Sequence, residues 1–304
     1  MDPIIFTIPG TNLSLHWYGV IMAVVIIIAG LIAEWGVRLR GEEGEQIWGL
    51  LVWGVPFGIV GARLWYVLND ILGGGQYYLD NPLKIINLPE GGLHFYGAIL
   101  FGALGTFIYV KRSSLDFRLF LDAAAPALLI GQALGRPANF INQELYGQPT
   151  DLPWGIAIDA SHRIGLWKNM SEFPFETTRF HPTFGYEMIW NILAAGILLW
   201  IALKYKEKIK PASIFAGWLI LEGLGREIIE CFRPDQPRLP GTDISYSRIV
   251  AGLMILVGIF WLLNKYEIIK LPFLEPGSEK YRLSPGGSKT QQDSSITREI
   301  NNAK

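Results

Sequence analysis

Seven stretches of about 20 apolar residues recur along the chain, and they limit its possible folds more than any other feature. They cover residues 15–35, 47–68, 93–110, 120–140, 184–203, 212–232 and 244–263. A helix of this length crosses the hydrocarbon core of a bilayer, which is about 30 Å thick. Only 17% of the residues are charged, fewer than is usual in a water-soluble domain. The sequence therefore predicts an all-α, polytopic membrane protein with about seven transmembrane helices.

The distribution of basic residues predicts how these spans are oriented. Most lysines and arginines near the spans follow the first, third, fifth and seventh stretches: Arg38, Arg40, Lys111, Arg112, Arg118, Lys204, Lys206, Lys208, Lys210, Lys265 and Lys270. The segments on the other side of the alternation carry few, and the N-terminal stretch carries none. Basic loops stay in the cytoplasm, so we expect the N-terminus outside and the C-terminus in the cytoplasm.

The chain divides into a transmembrane domain, residues 1–265, and a tail, residues 266–304. Beyond about residue 274 the tail loses its apolar periodicity and becomes rich in serine, glycine, glutamine and charged residues. Such a composition buries too little apolar surface to offset the entropy of ordering. We expect the tail to be cytoplasmic and disordered.

Composition and spacing also argue against several functional classes. The net charge of −1 is unlike that of a general nucleic-acid binder, so no nucleic acid is expected as a partner. Cys231 is the single cysteine, and the four histidines show no metal-binding pair spacing, so neither a metal ion nor a cofactor is expected. No repeat of fixed period supports a transporter built from repeated halves.

A first polar cluster, GRPANFINQELYG at residues 135–147, lies at the end of the fourth stretch. It contains Arg136, Asn139, Asn142 and Glu144. An arginine at the centre of a membrane helix costs about 2.5–3.5 kcal/mol on insertion scales, so it is usually paired or functional. The cluster is either a polar clasp between helices, with a snorkelling arginine, or a ligand site.

A second polar cluster, at residues 222–238, places Arg226 and Glu230 four residues apart on one helix face. Glu222 lies one turn earlier and is either a counter-ion for Arg226 or a functional carboxylate. An isolated pair of this spacing contributes only a few tenths of a kcal/mol, which favours a further polar partner or ligand. Arg136 and Arg226 carry planar, bidentate donors and therefore suggest recognition of a phosphate at the lipid headgroup level.

Two aromatic side chains open the third stretch. The imidazole of His94 is able to move a proton near neutral pH, and the phenol of Tyr96 is able to donate a hydrogen bond. Interfacial aromatic belts offer another explanation for Tyr96, as they do for Tyr18.

Small residues and a further motif complete the candidates. Gly97, Gly102 and Gly105 are typical of close packing between two membrane helices. The fragment HPTFGYE at 181–187 has the proline and threonine of a helix start, and His181 and Glu187 are able to face one cavity.

These residues resemble one known family. The stretch at 135–147 is similar to the G-R-x-x-N-F-x-N-x-E-x-x-G signature of the prolipoprotein diacylglyceryl transferases. Further similar stretches follow in the family's order: LHWYG at 15–19, GARLWYVL at 61–68, EGGLHFYGAI at 90–99, HPTFGYE at 181–187 and GREIIECFR at 225–233. The likeness covers about residues 1–265 and leaves out the tail.

The resemblance implies a seven-span enzyme of the bacterial inner membrane. Such an enzyme transfers the diacylglyceryl group of phosphatidylglycerol to the lipobox cysteine thiol in the signal peptide of a prolipoprotein. Glycerol 1-phosphate is released, and the partners are these two substrates and the lipid bilayer. The phosphate readout suggested by the two arginines agrees with this chemistry, because they would stabilise the charge of the departing phosphate.

The resemblance also implies roles for individual residues. The phosphatidylglycerol-binding residues would be Arg136, Asn139, Asn142, Gly147 and Arg226. The catalytic residues would be Tyr18, His94, Tyr96, Asn139, Glu144, Arg226 and Glu230.

The sequence departs from the family at two positions. Tyr96 stands where the family usually has a histidine, and a phenol is a poor base at neutral pH. His94 is the alternative base, although on a continuous helix it would point about 200° away from Tyr96. Glu222 stands where a tyrosine is more common. These differences leave open a paralogue with another acceptor, a non-catalytic anionic-lipid binder, or a transporter.

Overall fold

The protein is mainly helical in the part of the chain that the computed structural model describes, residues 4–7, 9, 14–88, 91–233, 236–269 and 279–285. Its helices are α1 (Trp17–Leu39), α2 (Gln46–Leu72), α3 (Tyr77–Asp80), α4 (Phe95–Arg112), α5 (Phe117–Ile141), α6 (Thr183–Lys204), α7 (Ser213–Glu230) and α8 (Tyr246–Lys265). Short 3-10 segments cover Pro82–Ile86, Ala160–His162 and Gly165–Lys168. Strands β1 (Ile4–Thr7) and β2 (Ser14–His16) pair antiparallel before α1.

Each of the seven predicted stretches coincides with a helix. Five of these helices are long and apolar enough to cross a membrane: α1, α2, α5, α6 and α8. The chain is therefore a multi-pass membrane protein. Helices α4 and α7 have 18 residues each, the shortest of the seven, and they carry charged residues within that length. The predicted all-α class is correct in outline, with one small β-hairpin added.

The chain forms two compact units. The first unit comprises residues 1–32 and 121–280, and the second comprises residues 33–120 and 281–304.

Glycines form the contact between α2 and α4 in the second unit. A Cβ atom at Gly97 would overlap the carbonyl oxygen of Gly61 and the Cβ of Trp65. A Cβ at Gly102 would lie 3.4 Å from the carbonyl oxygen of Gly54, and one at Gly105 would lie 2.8 Å from the Cβ of Phe57. The predicted close packing through Gly97, Gly102 and Gly105 is confirmed. At Gly97 and Gly105 only a missing side chain lets the helices approach so closely, whereas a Cβ at Gly102 would be in ordinary van der Waals contact.

A buried arginine organises the loop that leads into α4. Arg63, on α2, is 4% exposed and donates to the carbonyl oxygens of Ile85 (2.8 Å), Lys84 (2.6 Å), Gly92 (3.2 Å) and Gly91. Its guanidinium also lies 5.2 Å from the ring centroid of Tyr78. Backbone carbonyls thus satisfy this cation, and Lys84, Ile85, Gly91 and Gly92 are held against α2.

Part of the C-terminal tail lies against the second unit. The amide and hydroxyl of Ser284 donate to the carboxylate of Glu42 at 2.8 and 2.5 Å, and the amide of Arg282 donates to Asp116 at 3.0 Å. Burial works to raise the pKa of Asp116, but the hydrogen bonds from Arg118 and Arg282 outweigh it and hold this pKa below its ordinary value. The rest of the predicted disordered tail, residues 270–278 and 286–304, lies outside the described residues, and its disorder stays a prediction.

The core of the first unit lies among α5, α6 and α7. It is built from small and branched apolar residues: Ala125, Leu129, Ala194, Ala195, Leu198 and Ile214. Helix α7 also packs along α8, where a Cβ at Gly223 would lie 2.7 Å from the carbonyl oxygen of Ala251.

One carboxylate fixes the start of α7 against α5. Asp122, on α5, is fully buried and accepts hydrogen bonds from the amides of Ala212 (2.6 Å) and Phe215 (2.8 Å). Amides in the first turn of a helix have no partner within that helix, so a buried carboxylate there is both satisfied and stabilising. Ala212 has a φ of 69°, which turns the chain sharply into α7.

The glycine contact predicts a selective loss of stability. Gly97→Val should lower the free energy of unfolding of the purified protein in detergent by about 1–3 kcal/mol, since the added atoms have no space between α2 and α4. Gly196→Val on α6 is the matched control, because a Cβ there meets no atom within 4 Å. Equal losses for the two variants, measured by thermal unfolding, would contradict the packing role.

Candidate functional site

Three helices of the first unit bring charged residues together. Arg136 and Asn139 lie in the last two turns of α5, Glu187 lies in the second turn of α6, and Arg226 and Glu230 lie near the end of α7. We call these five residues the arginine cluster.

Glu187 joins the two arginines. Its Oε2 forms an ion pair with Nη2 of Arg136, and its Oε1 lies 3.9 Å from Nη1 of Arg226. The Glu187 side chain is 11% exposed, and both arginine side chains are mostly covered. One carboxylate therefore connects the ends of α5 and α7 to the start of α6.

Arg226 has two further partners. Its Nη2 lies 3.3 Å from Oε2 of Glu230 and donates to Oε1 of Gln236 at 3.0 Å. The same Glu230 oxygen accepts a hydrogen bond from the hydroxyl of Ser247 on α8 at 2.6 Å. Glu230 is thus held from its own helix and from the next one.

A chain of amide contacts continues from Arg136 into the following loop. Nη1 of Arg136 donates to Oδ1 of Asn139 at 3.4 Å, and Nδ2 of Asn139 donates to Oε1 of Glu144 at 2.9 Å. Nδ2 of Asn142 donates to the same oxygen at 3.3 Å. Glu144 therefore orients the Asn139 amide so that its oxygen faces Arg136. Nε of Arg136 is buried and has no hydrogen-bond partner among the described residues.

Gly147 lies where three segments meet. Its amide donates to the carbonyl of His181 at 2.8 Å. A Cβ at this position would lie 2.6 Å from the carbonyl oxygen of Phe232, 2.8 Å from Cγ2 of Thr183 and 2.9 Å from Cβ of His181. Only glycine fits, and it joins the loop after α5 to the start of α6 and the end of α7.

Comparison with known proteins agrees with this arrangement. The family model described as prolipoprotein diacylglyceryl transferase matches residues 3–264. The chain belongs to this family. Three similar proteins are named phosphatidylglycerol–prolipoprotein diacylglyceryl transferase. That of Chloroflexus aggregans is 34% identical over 86% of this chain and 90% of its own length. That of Clostridium botulinum strain Langeland is 33% identical over 89% and 98%. That of Bifidobacterium longum strain DJO10A is 35% identical over 79% and 74%.

The first unit contains most of the residues that the transferase motif singles out. Arg136, Asn139, Asn142, Glu144, Gly147, Arg226 and Glu230 all belong to it. Tyr18 also belongs to this unit and lies in the first turn of α1, where it is 46% exposed. Among the described residues, no hydrogen bond joins Tyr18 to the arginine cluster.

His94 and Tyr96 belong to the second unit, and their relative orientation was predicted wrongly. His94 precedes α4 with an extended backbone (φ −108°, ψ 126°) instead of lying within the helix. Its ring centroid is therefore only 5.5 Å from that of Tyr96. The amide of His94 donates to the carbonyl of Ala62 at 3.0 Å, next to Arg63 in sequence. Its Nδ1 is buried and lacks a hydrogen-bond partner within the described ranges.

Glu187 is the residue of the arginine cluster that sequence reasoning weighted too little. It was seen only as a residue able to share a cavity with His181, and the signal was a carboxylate inside the apolar α6 helix. His181 has different polar neighbours. Its Nδ1 lies 3.0 Å from the hydroxyl of Tyr186, which accepts a hydrogen bond from Trp154 at 2.7 Å.

Glu222, considered above as a counter-ion for Arg226, has its described hydrogen bond with a glutamine on another helix. Its Oε1 accepts a hydrogen bond from Nε2 of Gln132 on α5 at 3.3 Å. Its Oε2 is buried and has no hydrogen-bond partner in the described part of the chain. Glu222 therefore adds a second polar link between α5 and α7, beside the one through Glu187.

His181 predicts a pH dependence of stability. Burial lowers the pKa of His181 below its ordinary value, so the unfolded chain binds a proton more readily than the folded one. The contribution of neutral His181 to stability is present above the unfolded pKa, near 6.5, and is lost as the pH falls through the lower folded value. Thermal unfolding between pH 7.5 and 5 should therefore show a smaller loss for His181→Gln than for the parent protein. His162→Gln, at an exposed position, should retain the parental pH dependence; parallel curves for all three proteins would refute this assignment.

Proposed function

We propose that this protein transfers the diacylglyceryl group of phosphatidylglycerol to the lipobox cysteine thiol of prolipoproteins, with release of glycerol 1-phosphate. The observation that carries the proposal is the pair Arg136 and Arg226, held side by side at the ends of two helices by Glu187. The names of the relatives specify the same two substrates.

In the proposed reaction, the cysteine sulfur attacks the glyceryl carbon that is bound to the phosphodiester oxygen. The new C–S bond forms as the C–O bond breaks, and the electron pair of that bond stays on the phosphate oxygen. Negative charge therefore grows on the phosphate, and the guanidinium groups of Arg136 and Arg226 stabilise it. This role requires that both arginines direct donors at one anion. Their shared contact with the Glu187 carboxylate supports this requirement.

The remaining residues of the motif would hold these arginines and the lipid. Asn139, oriented by Glu144, directs its amide oxygen at Arg136, and Asn142 supports the same carboxylate. Glu230 orients Arg226, while Gly147 keeps the loop close to α6 and α7. Tyr18, exposed at the start of α1, is the further residue that we propose contacts the substrate headgroup.

The thiol must also lose its proton to become a good nucleophile. His94 and Tyr96 are the proposed participants, since their rings lie next to each other and Nδ1 of His94 has no hydrogen-bond partner in the described segments. An imidazole accepts a proton near neutral pH, whereas a phenol does so poorly. We therefore assign proton transfer to His94 and a supporting contact to Tyr96.

The proposed topology follows the loop charges. Helices α4 and α7 would complete seven spans in residues 1–265, with the N-terminus outside the bacterial inner membrane and residues 266–304 in the cytoplasm. In this arrangement the ends of α5 and α7 and the start of α6 face the outer side, where the prolipoprotein cysteine is presented.

A transfer assay tests the function. Purified protein is incubated with phosphatidylglycerol vesicles and a lipobox peptide, and the diacylglyceryl thioether is measured by mass spectrometry. The parent protein should form the adduct, and Arg136→Ala should lower kcat/KM by about 10²–10³-fold because a charge-stabilising donor is lost. Arg238→Ala, which removes an exposed arginine paired with Asp243, should retain activity.

Three outcomes would separate the alternatives. Parent protein that forms no adduct, while a known transferase is active in parallel, would exclude this acceptor and favour a paralogue with another one. Binding of phosphatidylglycerol without any transfer would favour a lipid binder or a transporter. Full activity of Arg136→Ala would exclude the proposed phosphate site.

The proposed base is tested by two substitutions. His94→Ala should lower kcat by about 10²-fold or more, in keeping with the loss of a general base. Tyr96→His should retain or raise activity, because it places an imidazole beside His94. Unchanged activity in His94→Ala would remove His94 from the mechanism.

A further inference from the structure

The arginine cluster contains its own anions. The positive charges of Arg136 and Arg226 are matched by the carboxylates of Glu187 and Glu230, each of which contacts at least one of the two guanidinium groups. A phosphodiester brings one further negative charge into largely covered surroundings. A like charge a few ångströms away opposes its binding there, because screening by water is weak. Movement of one carboxylate away from the arginines removes this repulsion and frees their donors for the phosphate.

The two carboxylates differ in how firmly they are held. Glu230 lies one turn from Arg226 on α7 and also accepts the Ser247 hydroxyl from α8. Glu187 lies on a different helix from either arginine, and its side-chain ion pairs in the described part of the chain are those with Arg136 and Arg226. Glu187 is consequently the carboxylate that a competing anion displaces more easily.

The contacts of Glu187 also match those expected of a phosphate. Its two oxygens contact different arginines, one each, as two non-bridging phosphate oxygens would. Arginine forks bind carboxylate and phosphate through the same planar donors, so the two anions compete for them.

We propose that Glu187 is a positioning residue that occupies the phosphate site while it is empty, is displaced by the phosphodiester, and returns to expel the phosphate product. The inference rests on the proposed function and adds to it the control of product release. The substrate is a phosphodiester with one negative charge, whereas the product is a phosphate monoester whose second ionisation lies near pH 6. Without a competing carboxylate, the more highly charged product would bind the two arginines more tightly than the substrate does.

The test compares Glu187→Gln with the parent protein, using sn-glycerol 1-phosphate as the probe. Glutamine keeps the size of the side chain and removes its charge. In the thioether assay, Glu187→Gln should be inhibited by an about 10- to 100-fold lower concentration of glycerol 1-phosphate, because a nearby negative charge is gone. Its KM for phosphatidylglycerol should fall, and its kcat should fall as well, since product release becomes slower.

The matched control is Glu227→Gln. Glu227 neighbours Arg226 on α7, but its carboxylate pairs with Arg248 on α8 at 3.0 Å. This variant loses one negative charge next to Arg226 in sequence, from a carboxylate that pairs with Arg248. It should keep the parental inhibition by glycerol 1-phosphate. The proposal would be overturned if glycerol 1-phosphate inhibited Glu187→Gln no more strongly than the parent protein. It would also be overturned if Glu227→Gln became as sensitive to this inhibitor as Glu187→Gln.

Two measurements keep this result separate from a failure of the proposed function. Parent protein without transferase activity would refute the function, whereas calorimetric binding of glycerol 1-phosphate by parent and variant would still test the competition. If Glu187→Gln does not fold, a structure of the parent protein with glycerol 1-phosphate decides the question. Phosphate on both arginines with Glu187 moved away from at least one supports the proposal, and any complex in which Glu187 still bridges both overturns it.

Discussion

The carboxylate of Glu187, shared by Arg136 and Arg226, is the contact that joins the ends of α5 and α7 to the start of α6 in the described structure. Charged side chains within apolar helices are costly unless they meet partners of opposite charge. Arg226 and Glu230 pair within α7, whereas Arg136 on α5 and Glu187 on α6 meet only where their helices converge. The contacts that pack these helix ends thus also place the donors of the proposed phosphate site.

The second unit is held together by a glycine contact between helices and by hydrogen bonds from a buried arginine to backbone carbonyls. Its helices α2 and α4 approach through glycines, where dispersion contacts between backbones replace side-chain interlocking. The hydrogen bonds described for Arg63 go to four backbone carbonyls and not to a carboxylate. A cation bound in this way fixes a loop without adding a competing negative charge, and it holds the segment that carries His94 against α2.

Hydropathy alone located the long helices, because a span of the bilayer demands a length and a composition that few other structures share. Polar clusters within apolar stretches, together with the order of the family motifs, likewise identified Arg136, Arg226 and their amide neighbours as candidates. The role of Glu187 was not accessible in this way, since it depends on which helix ends meet in space. The orientation of the His94 ring was also missed. His94 has an extended backbone and precedes α4, so helical periodicity does not describe the direction of its ring. Five of the seven helices are long and apolar enough to cross a membrane, whereas α4 and α7 have 18 residues each and carry charged residues within that length.

The contact of Asp122 with the start of α7 fixes one end of two helical segments that each lead to an arginine of the cluster. Asp122 precedes Arg136 by fourteen positions, and Ala212 precedes Arg226 by the same fourteen. At 1.5 Å per residue, both helices measure about 21 Å from the capped end to the guanidinium-bearing residue. The number of residues between this contact and the arginine is therefore the same on α5 and α7. An insertion of one residue in either segment would shift its arginine by about 1.5 Å and rotate it by about 100°, which would move that guanidinium away from Glu187.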